Sequence, residues 1–157
     1  MGAMRPDGPP IGRQLALTAK AVSRAFNDAL AEAGGSLPIW LVLASLKESP
    51  WRTQLDLAHS VGIEGPTLTR HLDGLEQAGL VVRRRDSEDR RAVRVELTPD
   101  GERLFGTLLQ AVIRFNKQLT AGLGEHELGR LRTTLAALEL LFPEPVGQLL
   151  VEADDRL

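Results

Sequence analysis

The sequence predicts a mainly α-helical fold with a small β-hairpin, and three observations predict it. Apolar residues recur at helical spacing through most of the chain, two short β-rich runs at 80–85 and 92–97 alternate instead, and caps, glycines and prolines mark the boundaries between them. The 157 residues suit one domain with a real hydrophobic core. Hydrophobic residues at 43% and charged residues at 25% are ordinary globular usage, far from the signature of a disordered chain.

A Pro/Gly-rich leader covers 1–10, and its opening Met1-Gly2-Ala3-Met4 resembles a cloning remnant. Leu15, Val22, Phe26 and Leu30 then predict a long first helix, stopped by Gly34 and Gly35. Ser36 caps a second helix over about 37–47, in which Ile39, Trp40, Leu41, Val42, Leu43 and Leu46 leave almost no polar face, so most of its sides must be buried. Thr53 caps a short third helix through about 60, and Gly62 supplies the turn after it. A fourth helix over about 66–78 has Pro66 at its first position and Gly79 just past its end. The β-rich runs follow, separated by the charged stretch 86–91. Thr98 and Pro99 start a long helix through about 121, with Leu104, Leu108, Val112, Phe115 and Leu119 on one face. The last helix, over 125–142, carries Leu128, Leu131, Leu135, Leu138 and Leu141, and an acidic tail fills 143–157.

Several function classes fall away on composition. Cysteine is absent, which excludes disulfides, thiolate metal sites and thiol redox sensing. No apolar run approaches the roughly 20 residues that cross a bilayer, and the N-terminus lacks a secretory layout, so the expected location is the cytoplasm. His59, His71 and His126 are dispersed, with no carboxylates at ligand spacing, so neither a metal nor a cofactor is expected. A glycine loop for phosphates, a G-x-S-x-G elbow, tyrosine of any kind and a paired-carboxylate site are all missing, which argues against an enzyme.

What remains is a constellation suited to nucleic acid. Two short helices joined through a tight turn and followed by a charged hairpin have the order of a winged helix-turn-helix. On the fourth helix Leu68, Leu72 and Leu75 share one side, while Pro66, Arg70, Asp73 and Gln77 point the opposite way. Thr67, Thr69 and His71 lie on the flanks. Hydroxyl, imidazole and guanidinium groups of this kind bond base edges and phosphates. Net charge is only -2, but Arg83, Arg84, Arg85, Arg90, Arg91 and Arg94 face Asp86, Glu88 and Asp89 within twelve positions, a local excess of positive charge. Asp89 is placed to hold Arg91 extended for a minor groove, with Arg90 serving phosphates; the other reading is a solvated turn with weak ion pairs.

The run Pro66-Thr67-Leu68-Thr69-Arg70-His71-Leu72-Asp73-Gly74-Leu75-Glu76-Gln77-Ala78-Gly79-Leu80-Val81, then Arg85-Asp86-Ser87-Glu88-Asp89-Arg90-Arg91-Ala92, then Leu97-Thr98-Pro99-Asp100-Gly101, resembles the MarR family of transcriptional regulators. The resemblance is strongest over 55–101. It implies a helical, triangular homodimer that binds double-stranded DNA at an inverted-repeat operator, as a repressor released by a small aromatic or anionic effector. It divides the chain into a dimerisation region (11–35 and 99–142) and a winged helix-turn-helix (36–98). Leu104, Leu108, Phe115, Leu131, Leu135 and Leu138 would share a core across the dimer axis; an intramolecular helical hairpin is the other arrangement of those stripes. Thr67, Thr69, Arg70 and His71 fall where relatives touch the major groove, and Arg91, with Asp89, where the wing tip enters the minor groove. Effectors of many relatives sit between the dimerisation helices and the DNA-binding lobe. Trp40 is then either a flat wall of that cleft or a packing residue, and Lys20 either a carboxylate partner or a surface charge. A winged helix used only for protein contacts is the rival binding function.

Overall fold

The computed structural model describes residues 10–49, 53–86 and 93–142. The elements in chain order are α1 (Ile11–Glu32), α2 (Leu37–Glu48), α3 (Gln54–Val61), α4 (Gly65–Gln77), β1 (Val81–Arg85), β2 (Val93–Leu97), α5 (Pro99–Thr120) and α6 (Glu125–Leu141). The mainly helical fold with a two-stranded hairpin is the predicted one, with boundaries within a residue or two.

The boundaries have local causes. The Ser36 hydroxyl accepts from the Ile39 N–H at 3.5 Å and starts α2. Thr53 and Asp56 form a reciprocal capping box on α3, satisfying two backbone donors that the first turn leaves open. Gly62 ends α3 at φ 65°, a left-handed conformation that a Cβ disfavours. α4 begins at Gly65, so Pro66 stands at the second helical position rather than the first, where its missing N–H still costs no intrahelical bond.

The strands pair antiparallel, from Val81 opposite Leu97 to Arg85 opposite Val93, and a single bridge from Thr53 to Arg94 ties the entrance of α3 to the hairpin. Beneath them lies the core. Leu43 and Leu46 of α2, Leu57 of α3, Leu68 and Leu72 of α4 and Val95 of β2 are fully buried together, each such side chain contributing about 1.5–3 kcal/mol of burial free energy. α2 is the shared wedge, as its lack of a polar face requires. Phe26 meets Phe115 at 5.1 Å between α1 and α5, and Trp40 stacks on Phe105 at 5.7 Å and 4° between α2 and α5.

One residue of the long helices departs from the expected shared core. Leu108 is fully buried inside its own chain, against Gly35, and so belongs to the internal core. α6 buries none of its residues, and Leu131 and Leu135 are 42% and 40% exposed. Among the described residues, nothing packs over this stripe closely enough to bury it.

The start of α5 locks onto the turn before the hairpin. The Thr98 N–H donates to the Leu80 carbonyl at 3.1 Å, the Thr98 hydroxyl donates to the Gly79 carbonyl at 2.6 Å and accepts from the Gly101 N–H at 3.1 Å. At Gly101 a Cβ would stand 2.0 Å from the Leu80 carbonyl oxygen, so only glycine fits. The motif Thr98-Pro99-Asp100-Gly101 is thus a structural joint.

Candidate nucleic-acid interface

α4 divides as its sequence predicts. Leu68, Leu72 and Leu75 are buried, and Pro66, Arg70, Asp73 and Gln77 are exposed. Thr67, Thr69 and His71 are half-buried on the flanks. Pro66, Thr67, Thr69, Arg70 and His71 therefore occupy the first half of one helix, whose outer face is open.

Thr69 differs from its neighbours. Its hydroxyl donates to the Gly65 carbonyl at 2.9 Å and accepts from Gln54 Nε2, at the first turn of α3, at 2.7 Å. Its carbonyl accepts from Arg83 Nη2 at 3.3 Å. One residue of the outer helix is thus held by its own helix, by α3 and by β1.

The second half of α4 faces the hairpin. Arg83 Nη1 donates to Asp73 Oδ1 at 2.6 Å and to Glu76 Oε2 at 3.3 Å, and the Arg83 backbone N–H donates to Glu76 Oε1 at 3.2 Å. With its side chain only 20% exposed, Arg83 is a clamp between wing and helix rather than a phosphate contact. Arg94 pairs with Asp86, whose carboxylate is buried at the base of the hairpin loop, and Arg84 lies 3.6 Å from Glu96. Among the described residues of the cluster, Arg83, Arg84 and Arg94 are therefore each beside a carboxylate of the chain. The local excess of positive charge is thereby partly neutralised within the chain, and Asp86 holds Arg94 in place. Asp89, Arg90 and Arg91 lie outside the described residues.

The two effector candidates are apart. Trp40 is half-buried and stacked on Phe105, packed against the core. Lys20 is exposed on α1, where it lines a shallow hollow of about 330 Å³ with Leu17, Arg24 and Asp28. A larger groove of about 990 Å³ runs between α1 and α5, floored by Ala25, Ala29 and Ala111 and edged by Glu32, Arg114 and Phe115, and neither Lys20 nor Trp40 lines it. Sequence reasoning missed Gln54 and the clamping role of Arg83. A glutamine directly after an N-cap was the available signal for the first, since the first helix of the motif crosses the nucleic-acid backbone.

The family model described as MarR matches residues 36–93, the segment that holds α2 through the first residue of β2. A mutant MarR from E. coli complexed with operator DNA is 27% identical, with a TM-score of 0.73 over 82% of this chain and 93% of that one. The transcriptional repressor CouR, bound to a 23-mer DNA duplex, is 30% identical, with a TM-score of 0.74 over 82% of this chain and 92% of that one. NadR in complex with 4-hydroxyphenylacetate is 30% identical, with a TM-score of 0.65 over 87% of this chain and 97% of that one. Family model, whole-length structural likeness and the capped, two-helix reading unit with its hairpin agree, and the chain is a winged helix-turn-helix transcriptional regulator that belongs to the MarR family.

Proposed function

We propose that the chain works as a homodimer in the cytoplasm, gripping an inverted-repeat operator as a repressor and releasing it when a small aromatic or anionic effector binds. The observation that carries this reading is the outer face of the first half of α4, where Pro66 and Arg70 are exposed, with Thr67 half-buried on the flank, while Leu68, Leu72 and Leu75 anchor the helix to the core from behind. A rigid helix of this diameter fits a major groove, and guanidinium and hydroxyl groups suit base edges and phosphates. Two relatives bound to DNA support it.

In this reading Thr67, Arg70 and His71 meet the major groove with Thr69. Arg91, steadied by Asp89, enters the minor groove at the wing tip while Arg90 meets a phosphate. The leucine stripe of α6 and the exposed faces of α1 form the dimer (regions 11–35 and 99–142), leaving 36–98 as the DNA-binding part. Two-fold symmetry sets half-sites about one helical turn, roughly 10 bp, apart. NadR with its hydroxyphenylacetate supports an aromatic acid as effector; of the two residues the sequence offers for it, exposed Lys20 suits a carboxylate, whereas Trp40 is taken up by its stack on Phe105. The role is binding and release, with no catalysed reaction.

Selection of bound duplexes from a random pool tests the reading directly. The expected product is a two-fold symmetric motif whose affinity falls steeply with salt. Arg70→Ala should relax the sequence preference within each half-site, costing about 1–3 kcal/mol at the position it reads. An unstructured pool, with no duplex enriched at low salt, would overturn it.

A further inference from the structure

Thr69 sits among the residues assigned to the groove, yet its hydroxyl is already engaged. A threonine hydroxyl has one hydrogen to donate and two lone pairs to accept with. The hydrogen is committed to the Gly65 carbonyl at 2.9 Å, and one lone pair to Gln54 Nε2 at 2.7 Å. The adjoining carbonyl is held by Arg83 at 3.3 Å. With the backbone and the hydroxyl both fixed, the third substituent on Cβ, the γ-methyl, has one position only. Thr69 is half-buried, so part of it faces outward beside Pro66 and the exposed Arg70. A side chain that cannot donate and whose methyl is fixed suits an apolar partner. In the major groove the apolar feature of a base pair is the C5-methyl of thymine.

Resting on the DNA-reading role above, we infer that Thr69 is a specificity-determining residue that selects a thymine by methyl-to-methyl contact, and that Gln54 is the positioning residue that fixes it. Gln54 does so from α3, across the turn at Gly62, so the two helices of the motif cooperate in reading one base. Removing the Gln54 amide leaves the Thr69 hydroxyl tied to its own helix alone and frees a lone pair to accept from polar base edges, which blurs the preference.

The test uses the full chain and the duplex obtained by selection, with each thymine replaced in turn by deoxyuridine, which lacks only the methyl. For the wild-type chain, one thymine per half-site should show a loss of roughly fourfold in affinity, the worth of one buried methyl. Thr69→Ser keeps both hydrogen bonds and removes the methyl, so it should bind the thymine and deoxyuridine duplexes equally. Gln54→Ala should shrink the ratio toward one while leaving the thermal unfolding midpoint close to wild type. Thr69→Ser with an undiminished ratio, or no thymine in the half-site sensitive to its methyl, overturns the inference. An unchanged ratio in Gln54→Ala overturns the positioning role. If no duplex is selected at all, the DNA-binding reading itself fails, which is a separate result.

Discussion

The carbonyl of Leu80 shows how a single residue type is dictated. It accepts from the Thr98 N–H, and it lies 2.0 Å from where a Cβ on Gly101 would stand. Backbone oxygens do not move aside as side-chain tips do, so the long helix α5 can approach the hairpin only with glycine there. Gly101→Ala should therefore lower stability by at least about 2 kcal/mol, in the upper part of the overpacking range. A shift of the urea midpoint at unchanged slope is the measurement, because an unchanged slope means the native surface is retained. A midpoint equal to wild type would show that α5 has room to slide. In the proposed division of the chain, this joint is also where a displacement of the helical region around α5 would reach the hairpin.

At the scale of elements, the reading helix and the wing behave as one body because Arg83 spans them. It reaches Asp73, Glu76 and the Thr69 carbonyl at once, although the carboxylates are 60% and 41% exposed and its own Nε is buried with no partner among the described residues. Exposed partners and one orphaned donor make the clamp a weak stabiliser, worth about 1 kcal/mol or less, so its value is orientation. Arg83→Met should leave the unfolding midpoint within a few degrees of wild type while weakening binding to the selected duplex about tenfold or more, by loosening the wing against α4. Unaltered affinity would mean that the core alone sets that angle. The helices themselves were legible in the sequence because their signals are local: Ser36, Thr53 and Thr98 cap the segments they precede, and the leucines of α4 repeat at helical spacing. The clamp and the Gln54 to Thr69 bond join residues 14 and 15 positions apart across turns, and no periodicity encodes which side chain meets which. The pairing within the arginine cluster was hidden for the same reason. Composition counts charges, but only the strand register shows that Arg94 lies across from Arg84 and beside Asp86. Trp40 was left open between core and cleft, and its stack on Phe105 is a contact between α2 and α5, more than 60 residues apart in the chain, that no local pattern records.

For the whole molecule, the decisive quantity is what the single chain leaves uncovered. Leu131, Leu135, Leu140 and Leu141 stand on a helix that buries nothing of its own, while Leu15 and Leu17 are 41% and 54% exposed on α1. Exposed leucines in this number suit a partner, and the second copy proposed above is the partner that also produces two α4 helices related by a two-fold axis. Net charge of -2 makes that pairing matter more for DNA. A chain with no global positive charge gains little from nonspecific attraction, so affinity must come from two half-sites engaged together. Joining two weak sites in one rigid body raises affinity by roughly 10²–10⁴-fold over either alone. The double substitution Leu131→Glu with Leu135→Glu should then convert the dimer to a 17.1 kDa monomer in sedimentation velocity, with the helical circular dichroism kept because neither side chain supports the internal core. Binding to the inverted repeat should fall by at least about 100-fold, to the level of an isolated half-site duplex, and the difference between the two duplexes should vanish. A variant that remained a dimer, or a monomer that still preferred the full repeat, would show that the second half-site is recruited by some surface other than α6.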